Sequence, residues 1–491
     1  MTTMALLTEP FLLKPTPTSV QVAWFTAYPG TQHWVEWGSQ KTLASSRLIS
    51  GLRTEAGSPC AVWRHQATLT PLPSGQRVPY RVVSTQGSQW VTSQESTLMA
   101  QPPAGMPLRI LLTSDHQLKP MVAANLQKVV ETVGAVDAVF FAGDLVNTAD
   151  RAGEWFGSHL GNAFFPTFQG LAHHAWGDQV FRGGAILQSA PLFPALGNHD
   201  VVECPGRDPW FNSQIFDAFF GQEQHYYAVS FGDVRLIVLS AANMWRHPGQ
   251  SAQIRGRFQE RQADLPYPER WGGGQKILEP IHRHSPQFTW LRAELNRPEW
   301  HQARFRLVML HHPMHSLGDN AVPPFTDPIP MIERHESGAI AAVHYRYPPD
   351  QDYLLRDLQP LLEQAGTHLV LSGHCHLWNR FVSPAGVHYL ETSNVGNSYG
   401  AAWGGQMRRE PSHYPDPITI AGDPGGLTPC LPSVAPLLSA NGVPLPFVAS
   451  NEVTVFSILS TVTGRVSSYR FHTRQPNTEV ILFDEFELGS P

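Results

Sequence analysis

Five times along this chain, a strand-like apolar run ends on side chains that can hold a metal ion or move a proton. RILLTS leads into Asp115, DAVFFAG into Asp144, and PLFPALG into Asn198, His199 and Asp200; FRLVML leads into His311, and HLVLSG into His374 and His376 of GHCH. Open α/β sheets build their sites in this way, because buried strands release polar residues where the strands end. The pattern demands a sheet whose strands share one functional edge.

The segments between these runs fit that demand. PMVAANLQKVVETVG follows the first run and sets Val122, Leu126, Val129 and Val130 at helical spacing before DAVFFAGD returns to strand. This β-α-β rhythm predicts an α/β domain. Later apolar strands are RLIVLS (235–240), FRLVMLHH (305–312) and HLVLSGH (368–374), with YLLRDLQPLLEQAG expected as a helix stopped by Gly366. Residues 404–447, rich in Pro and Gly, are expected to form a long irregular insertion, and the tail closes with strands in VTVFSILSTVTGRVSSYRFHT and VILFDEFEL.

Residues 18–100 have a different texture. SVQVAWFT and HWVEWG alternate on either side of a Pro-Gly turn signal at 29–30, and AVWRHQATLTPL and RVPYRVVS follow. Several short strands with such punctuation predict a small all-β sandwich over 1–100. QPPAGMP (101–107) is the expected linker to a second domain over 108–491.

Composition excludes several classes of function. With 42% hydrophobic and 15% charged residues the chain is a folding one, not a disordered one. A formal net charge of −6 gives no electrostatic case for binding nucleic acid or an anionic membrane. The four cysteines, Cys60, Cys204, Cys375 and Cys430, form no CxxC pair, which argues against a zinc knuckle or a disulfide framework. No apolar run reaches the length of a membrane span. MTTMALLTEPFLLKP has no basic region followed by an apolar core. The expected compartment is therefore the cytoplasm, or an exported one if a leader is missing from this chain.

The residue types suit a two-metal site. Carboxylates, imidazoles and amide oxygens can all ligate Zn, Mn or Fe, and a carboxylate can bridge two ions roughly 3.5–4 Å apart. His374 and His376 would point to one side of an extended segment, and glycines before Asp144, Asn198 and His374 would allow close turns. Singly, each motif has a plain structural reading: Gly-Asp makes turns, His-His-Pro can end a strand, and Asn198 or Asp200 can cap a helix. The order D…GD…GNHD…HH…GHxH carries the metal reading.

That order resembles the calcineurin-like metallophosphoesterase superfamily, and most of all its purple acid phosphatase branch. VQVAWFT, HWVEWG and ATLTPLPSGQRVPYRVV resemble the N-terminal fibronectin-like strands of that branch, and HYYAVSFGDVRLIVLS and LVLSGHCHLWNR also match its text. The resemblance implies a four-layer αββα sandwich, of mixed α/β class, behind a small fibronectin- or Ig-like sandwich. It implies two divalent or trivalent ions (Mn, Fe or Zn), with Asp115 and His376 on the first, Asp144 bridging, and Asn198, His311 and His374 on the second. His311 is chosen over His312 because the family pattern is V-x-x-H, read here from Val308; His312 is then a supporting residue. His199 would protonate the leaving group, with Asp200 orienting it. The implied reaction is hydrolysis of a small phosphate monoester. The alternatives are a phosphodiesterase acting on cyclic nucleotides, nucleotide derivatives or phospholipid headgroups, and a non-catalytic metal-bound adhesion protein.

The chain departs from the family at one place. The superfamily's D-x-H reads Asp115-His116-Gln117 here, and the GD-x-x-Y of the purple enzymes ends on Asn147. The first metal could take Gln117, Asn147 or His116; Gln117 has the same side of an extended segment as Asp115, and His116 the opposite one. His116, His315 and Arg380 are further candidates for substrate contact, with an ion pair the competing role for Arg380. Asn394 and Asn397 lie near a segment that borders the site in the enzymes this chain resembles, and Cys375 should face the core. Without the tyrosine there is no tyrosinate-to-iron charge transfer. Iron-loaded protein is expected not to be purple, and a strong visible band like that of the purple enzymes would refute the assignment.

Overall fold

The structure is a computed structural model and describes residues 4–489 apart from 204–210, 223, 245–257, 272–275, 321–323, 394, 397, 399, 409–420, 450 and 476–477. Its N-terminal part is two facing antiparallel sheets. Phe11–Thr16, Ser19–Thr26, Val62–Leu69 and Ser45–Ile49 make one; Gln40–Leu43, Gln32–Trp37, Val78–Gln86, Gln89–Thr92 and Ser96–Leu98 make the other. Alternate residues of both, including Leu12, Val22, Trp24, Val35, Trp37, Tyr80 and Val82, share one core. Pro29-Gly30 carries the chain from one sheet to the other, because the strands on either side of it lie in different sheets. Gln101–Pro107 holds neither strand nor helix.

Two larger sheets follow. In the first, Arg109–Thr113, Ala138–Phe141 and Leu192–Pro194 run parallel, and the tail strands Val453–Ser460, Arg465–His472 and Ile481–Glu487 extend it antiparallel. In the second, Val234–Val238, Phe305–Met309, Leu369–Ser372 and His388–Thr392 run parallel, with Tyr227–Phe231 at one edge and Trp378–Val382 and Phe447–Val448 at the other.

The period of two along these strands explains the layering. Ile110, Leu112 and Phe140 face Leu236, Val238, Leu307, Met309 and Leu371, so the two sheets pack on each other. The intervening Leu111, Val139 and Phe141 pack on the helix Val122–Val133, and Ile237, Val308 and Val370 on the helices Pro286–Leu295 and Gln359–Gln364. Both faces of each parallel strand are buried, which is why they read as continuous apolar runs. The result is four layers, αββα.

The expected helix after Tyr353 begins as a π-turn over Leu354–Leu358 and becomes α-helical over Gln359–Gln364, and Gly366 (φ +66°) ends it. Pro360 lacks an N–H and its ring crowds the carbonyl four residues back, which accounts for the widened turn. The described part of 404–447 holds to both sheets. Cys430 N donates to Arg380 O, Val434 N and Ala435 N to Phe483 O, and Phe447–Val448 pairs with Trp378.

Part of one outer face of the N-terminal sandwich is covered rather than solvated. Phe11 and Phe25 pack on Phe165, and Phe25 also on Phe156 and Phe219, rings supplied by the 152–168 stretch and the helix Gln214–Phe220. One apolar cluster therefore runs from the sandwich into the helical layer beside Leu111 and Phe141. Ser19–Thr26 accordingly loses alternation at its end, with Trp24 facing inward, Phe25 outward, and both fully buried. Phe25→Ala is expected to lower stability in urea by roughly 3–5 kcal/mol, the cost of an aromatic cavity that rigid neighbours cannot fill. A loss below about 1 kcal/mol would show that the sandwich is not held by this contact.

Candidate metal centre

Asp115, Asp144 and Asn198 stand just beyond the ends of three neighbouring strands of the first sheet, and His311, His374 and His376 beyond two of the second. The backbone there is unusual. Apart from Lys14, every described non-glycine residue with positive φ lies on these loops: Asp115 (+53°), Gln117 (+41°), Leu118 (+54°), Asp144 (+60°), His374 (+80°) and His376 (+58°). Left-handed conformations cost L-residues roughly 1–2 kcal/mol each and persist only where surrounding contacts impose them. The Asp115–Gln117 and His374–His376 pairs are thus not extended, as parity supposed. Each is kinked, and the kinks aim the side chains. At Gly197 and Gly373 a Cβ would run into the carboxylates of Asp144 and Asp115, so the chain passes where only glycine fits.

The side chains converge closely. His311 Nε2 lies 3.3 Å from Asp144 Oδ2 and 3.0 Å from Asn198 Oδ1, and His374 Nδ1 is 3.0 Å from the same Asn198 oxygen. His376 Nε2 is 3.5 Å from Asp115 Oδ1, and Asp115 Oδ2 accepts from His374 N at 2.9 Å. Gln117 Nε2 donates to Asp144 Oδ2. His311 Nδ1 meets the carbonyl of Ala142 at 2.8 Å; a carbonyl only accepts, so Nδ1 carries a proton and Nε2 is the nitrogen that faces the cluster. Burial pulls the His311 imidazole down, but Asp144, with Asp115, outweighs it and raises it to about 9.

Asp200 has a different task from the one expected. It does not orient His199 but receives three backbone N–H groups, Asp144 (2.8 Å) and Gly197 (2.9 Å) on Oδ2 and Leu145 (2.9 Å) on Oδ1. Burial, and then the charge of Asp144, push its carboxyl up to about 7. The His199 ring is held instead by the Asn147 carbonyl, 2.8 Å from Nδ1, while His199 N donates to Asp144 Oδ1.

These residues fit metal ions. Among the described residues Asp115 Oδ1 and Gln117 Oε1 are buried oxygens with no hydrogen-bond partner, as expected of atoms that await a cation. Two groups bring candidate ligand atoms within 4.8 Å of one another: Asp115, Asp144 and His311, and His311, His312 and His374. His312 stacks on His374 with centroids 3.8 Å apart, and its Nδ1 lies 3.1 Å from Ala241 O. Of the three residues considered for the vacated ligand position, Gln117 is buried against Asp144, the Asn147 side chain is exposed, and His116 turns away.

Three expected substrate contacts are not brought to the cluster. His116 sits in the apolar layer, stacked on Phe168, with Nε2 2.9 Å from Thr113 Oγ1 and burial lowering it to about 3. His315 pairs with Asp423 at 2.7 Å, both side chains fully enclosed. Arg380 pairs with Asp484 at 3.0 Å, both again buried. In each case a closer partner offsets the cost of burying the polar group. Cys375 is buried, and Asn394 and Asn397 lie outside the described residues.

Two residues not singled out in the sequence bear on the centre. Asn320 Nδ2 is 3.0 Å from His374 Nε2; it lies in an insertion, where no motif marks it. Lys119, nearly buried, feels the charges of Asp115, Asp144 and Glu154. Its signal was a lone cation four residues after Asp115 in a strand-end loop.

A model of the calcineurin-like phosphoesterase family matches residues 108–377, more than half of the chain, and the chain belongs to that family. It is a metal-dependent phosphoesterase, with His and Asp groups that could hold the ions. No curated protein matches it. Among the described residues no helix is long and apolar enough to cross a membrane. Gly197→Ala is expected to displace the Asp144 carboxylate and weaken metal affinity about 10–100-fold, as loss of supporting contacts does elsewhere. Metal content after dialysis, with circular dichroism as the control for folding, checks this; undiminished content would overturn it.

Proposed function

We propose that the chain hydrolyses phosphate monoesters in the manner of the purple acid phosphatase branch, at a centre of two metal ions. The observation that carries the reading is the division of the donors around Asp144. His376 lies against Asp115, Gln117 and His311 both reach Asp144 Oδ2, and Asn198 Oδ1 meets His311 and His374, so Asp115, Gln117 and His376 would hold one ion, Asn198, His311 and His374 the other, and Asp144 would serve both. The family fold preceded by a β-sandwich, read as fibronectin-like, supports the branch. Gln117 contributes a neutral, hard oxygen where the family has histidine, which favours manganese or iron over zinc in the first position.

Bound ions would supply Lewis acidity, polarising the phosphoryl group and making water nucleophilic. The chain's own residues do the rest. Asp144 and Asp115 would provide the negative charge that holds the cations. His311, proton fixed on Nδ1 by Ala142 O, presents Nε2 as a donor without tautomer ambiguity. His199 is fixed by Asn147 O through Nδ1, so Nε2 is the nitrogen free to carry a proton to the departing alkoxide.

His199→Ala should lower kcat on alkyl phosphates by about 10²–10⁴, the usual worth of a general acid, and far less on p-nitrophenyl phosphate. Equal losses on both would remove the acid role. Faster turnover of p-nitrophenyl phosphate than of its bis-ester by manganese-, iron- or zinc-loaded protein supports the monoester reading. The reverse preference would replace it with a phosphodiesterase acting on nucleotides or phospholipid headgroups. No turnover of either would leave a metal-bound binding protein.

A further inference from the structure

We propose that Lys119 is a substrate-contacting residue that binds a non-bridging phosphoryl oxygen and favours doubly charged phosphate groups over singly charged diesters. The inference rests on the phosphate-ester reading of the centre.

Lys119 lies on the loop that carries Asp115 and Gln117. Successive left-handed residues, Gln117 and Leu118, fold that loop back, and Lys119 N closes the turn on His116 O at 2.7 Å. Asn162 Nδ2 grips the carbonyls of Leu118 (2.6 Å) and Lys119 (3.3 Å), so the residue is anchored at its backbone. The residue is 8% exposed, and among the described residues its ammonium makes no hydrogen bond or ion pair.

Burial works against the Lys119 charge, and the carboxylates of Asp115, Asp144 and Glu154 work in its favour. None of them pairs with it. Glu154 is engaged by Asn147 N (2.7 Å) and Thr148 N (2.8 Å), and Asp144 by His199 N, Gln117 and His311. Asp115 gives one oxygen to His374 N and turns the other toward His376. With two divalent ions in place, the charges of Asp115 and Asp144 are more than neutralised. Lys119 then adds to a positive excess, and an anion in the centre is what relieves it. A phosphomonoester or free phosphate brings two negative charges and three acceptor oxygens, where a diester brings one charge. Lysine suits the task as a compact charge with three rotatable donors on a flexible stem.

The test uses manganese-loaded full-length protein and inorganic phosphate as the probe, reading melting temperature against phosphate concentration for the wild type, Lys119→Met and Lys119→Arg. Lys119→Met is expected to weaken phosphate about tenfold, as loss of one charge-assisted contact would, while Lys119→Arg keeps most of the affinity. In turnover, KM for p-nitrophenyl phosphate should rise by a like factor in Lys119→Met, with kcat and the bis-ester changed far less. Three results would overturn the proposal: no phosphate-dependent shift in the wild type, an equal shift in Lys119→Met, or an equal loss in Lys119→Arg. Tighter manganese binding by Lys119→Met with unchanged phosphate affinity would likewise overturn it, because Lys119 would then only stand in for the ions. The melting assay needs no turnover, so absence of hydrolysis counts against the enzyme reading without touching this one.

Discussion

The centre depends on one carboxylate that touches no substrate. Asp200 gathers the N–H groups of Asp144, Leu145 and Gly197, and thereby ties the loop after one parallel strand to the loop after its neighbour. Those donors would otherwise be buried and unpaired, each at a cost of about 1–3 kcal/mol. The same bonds impose the left-handed turn at Asp144 and bring Gly197 so close that no side chain could stand there. Once the two loops are locked, Asp144 and Asn198 have fixed positions, and the histidines of the facing sheet are met by a preformed array.

That array requires two sheets in contact. Three of the converging side chains come from one sheet and three from the other, so the packing of Ile110, Leu112 and Phe140 on Leu236, Leu307 and Leu371 sets the spacing of the centre. On the outer side, the aromatic rings of the 152–168 stretch fill the space between the helical layer and the sandwich. A residue such as Phe25 therefore bears on the region of the centre without approaching it. The loops of the centre are rigid for the same reason that their backbone is strained: close packing leaves them one conformation.

Much of this was legible beforehand for a physical reason. Parallel strands buried on both faces must be apolar throughout, and the polar residue that ends such a run has few places to go except the sheet's edge. So the strands before Asp115, Asp144, His311 and His374 and the helix over Val122–Val133 were readable from periodicity alone. Where local and tertiary forces diverged, the reading went astray. His116 looked like a neighbour of the site because it is polar and adjacent to Asp115, yet a pocket between Phe141 and Phe168 took it. Arg380 and His315 looked available until Asp484 and Asp423, each more than a hundred residues later in the chain, claimed them.

The residue types, their order and their places at strand ends are properties of the sequence, and they determined the fold class, the metal-binding character and the family. Tertiary structure alone decided that Asp200 staples backbone rather than steering His199, that Asn147 serves through its carbonyl, and that Asn320 meets His374 while Lys119 is nearly buried on the loop of Asp115. These outcomes depend on distances between residues far apart in the chain and on left-handed turns that only packing can hold. Periodicity reports which face a side chain is on; it carries no record of what waits on that face.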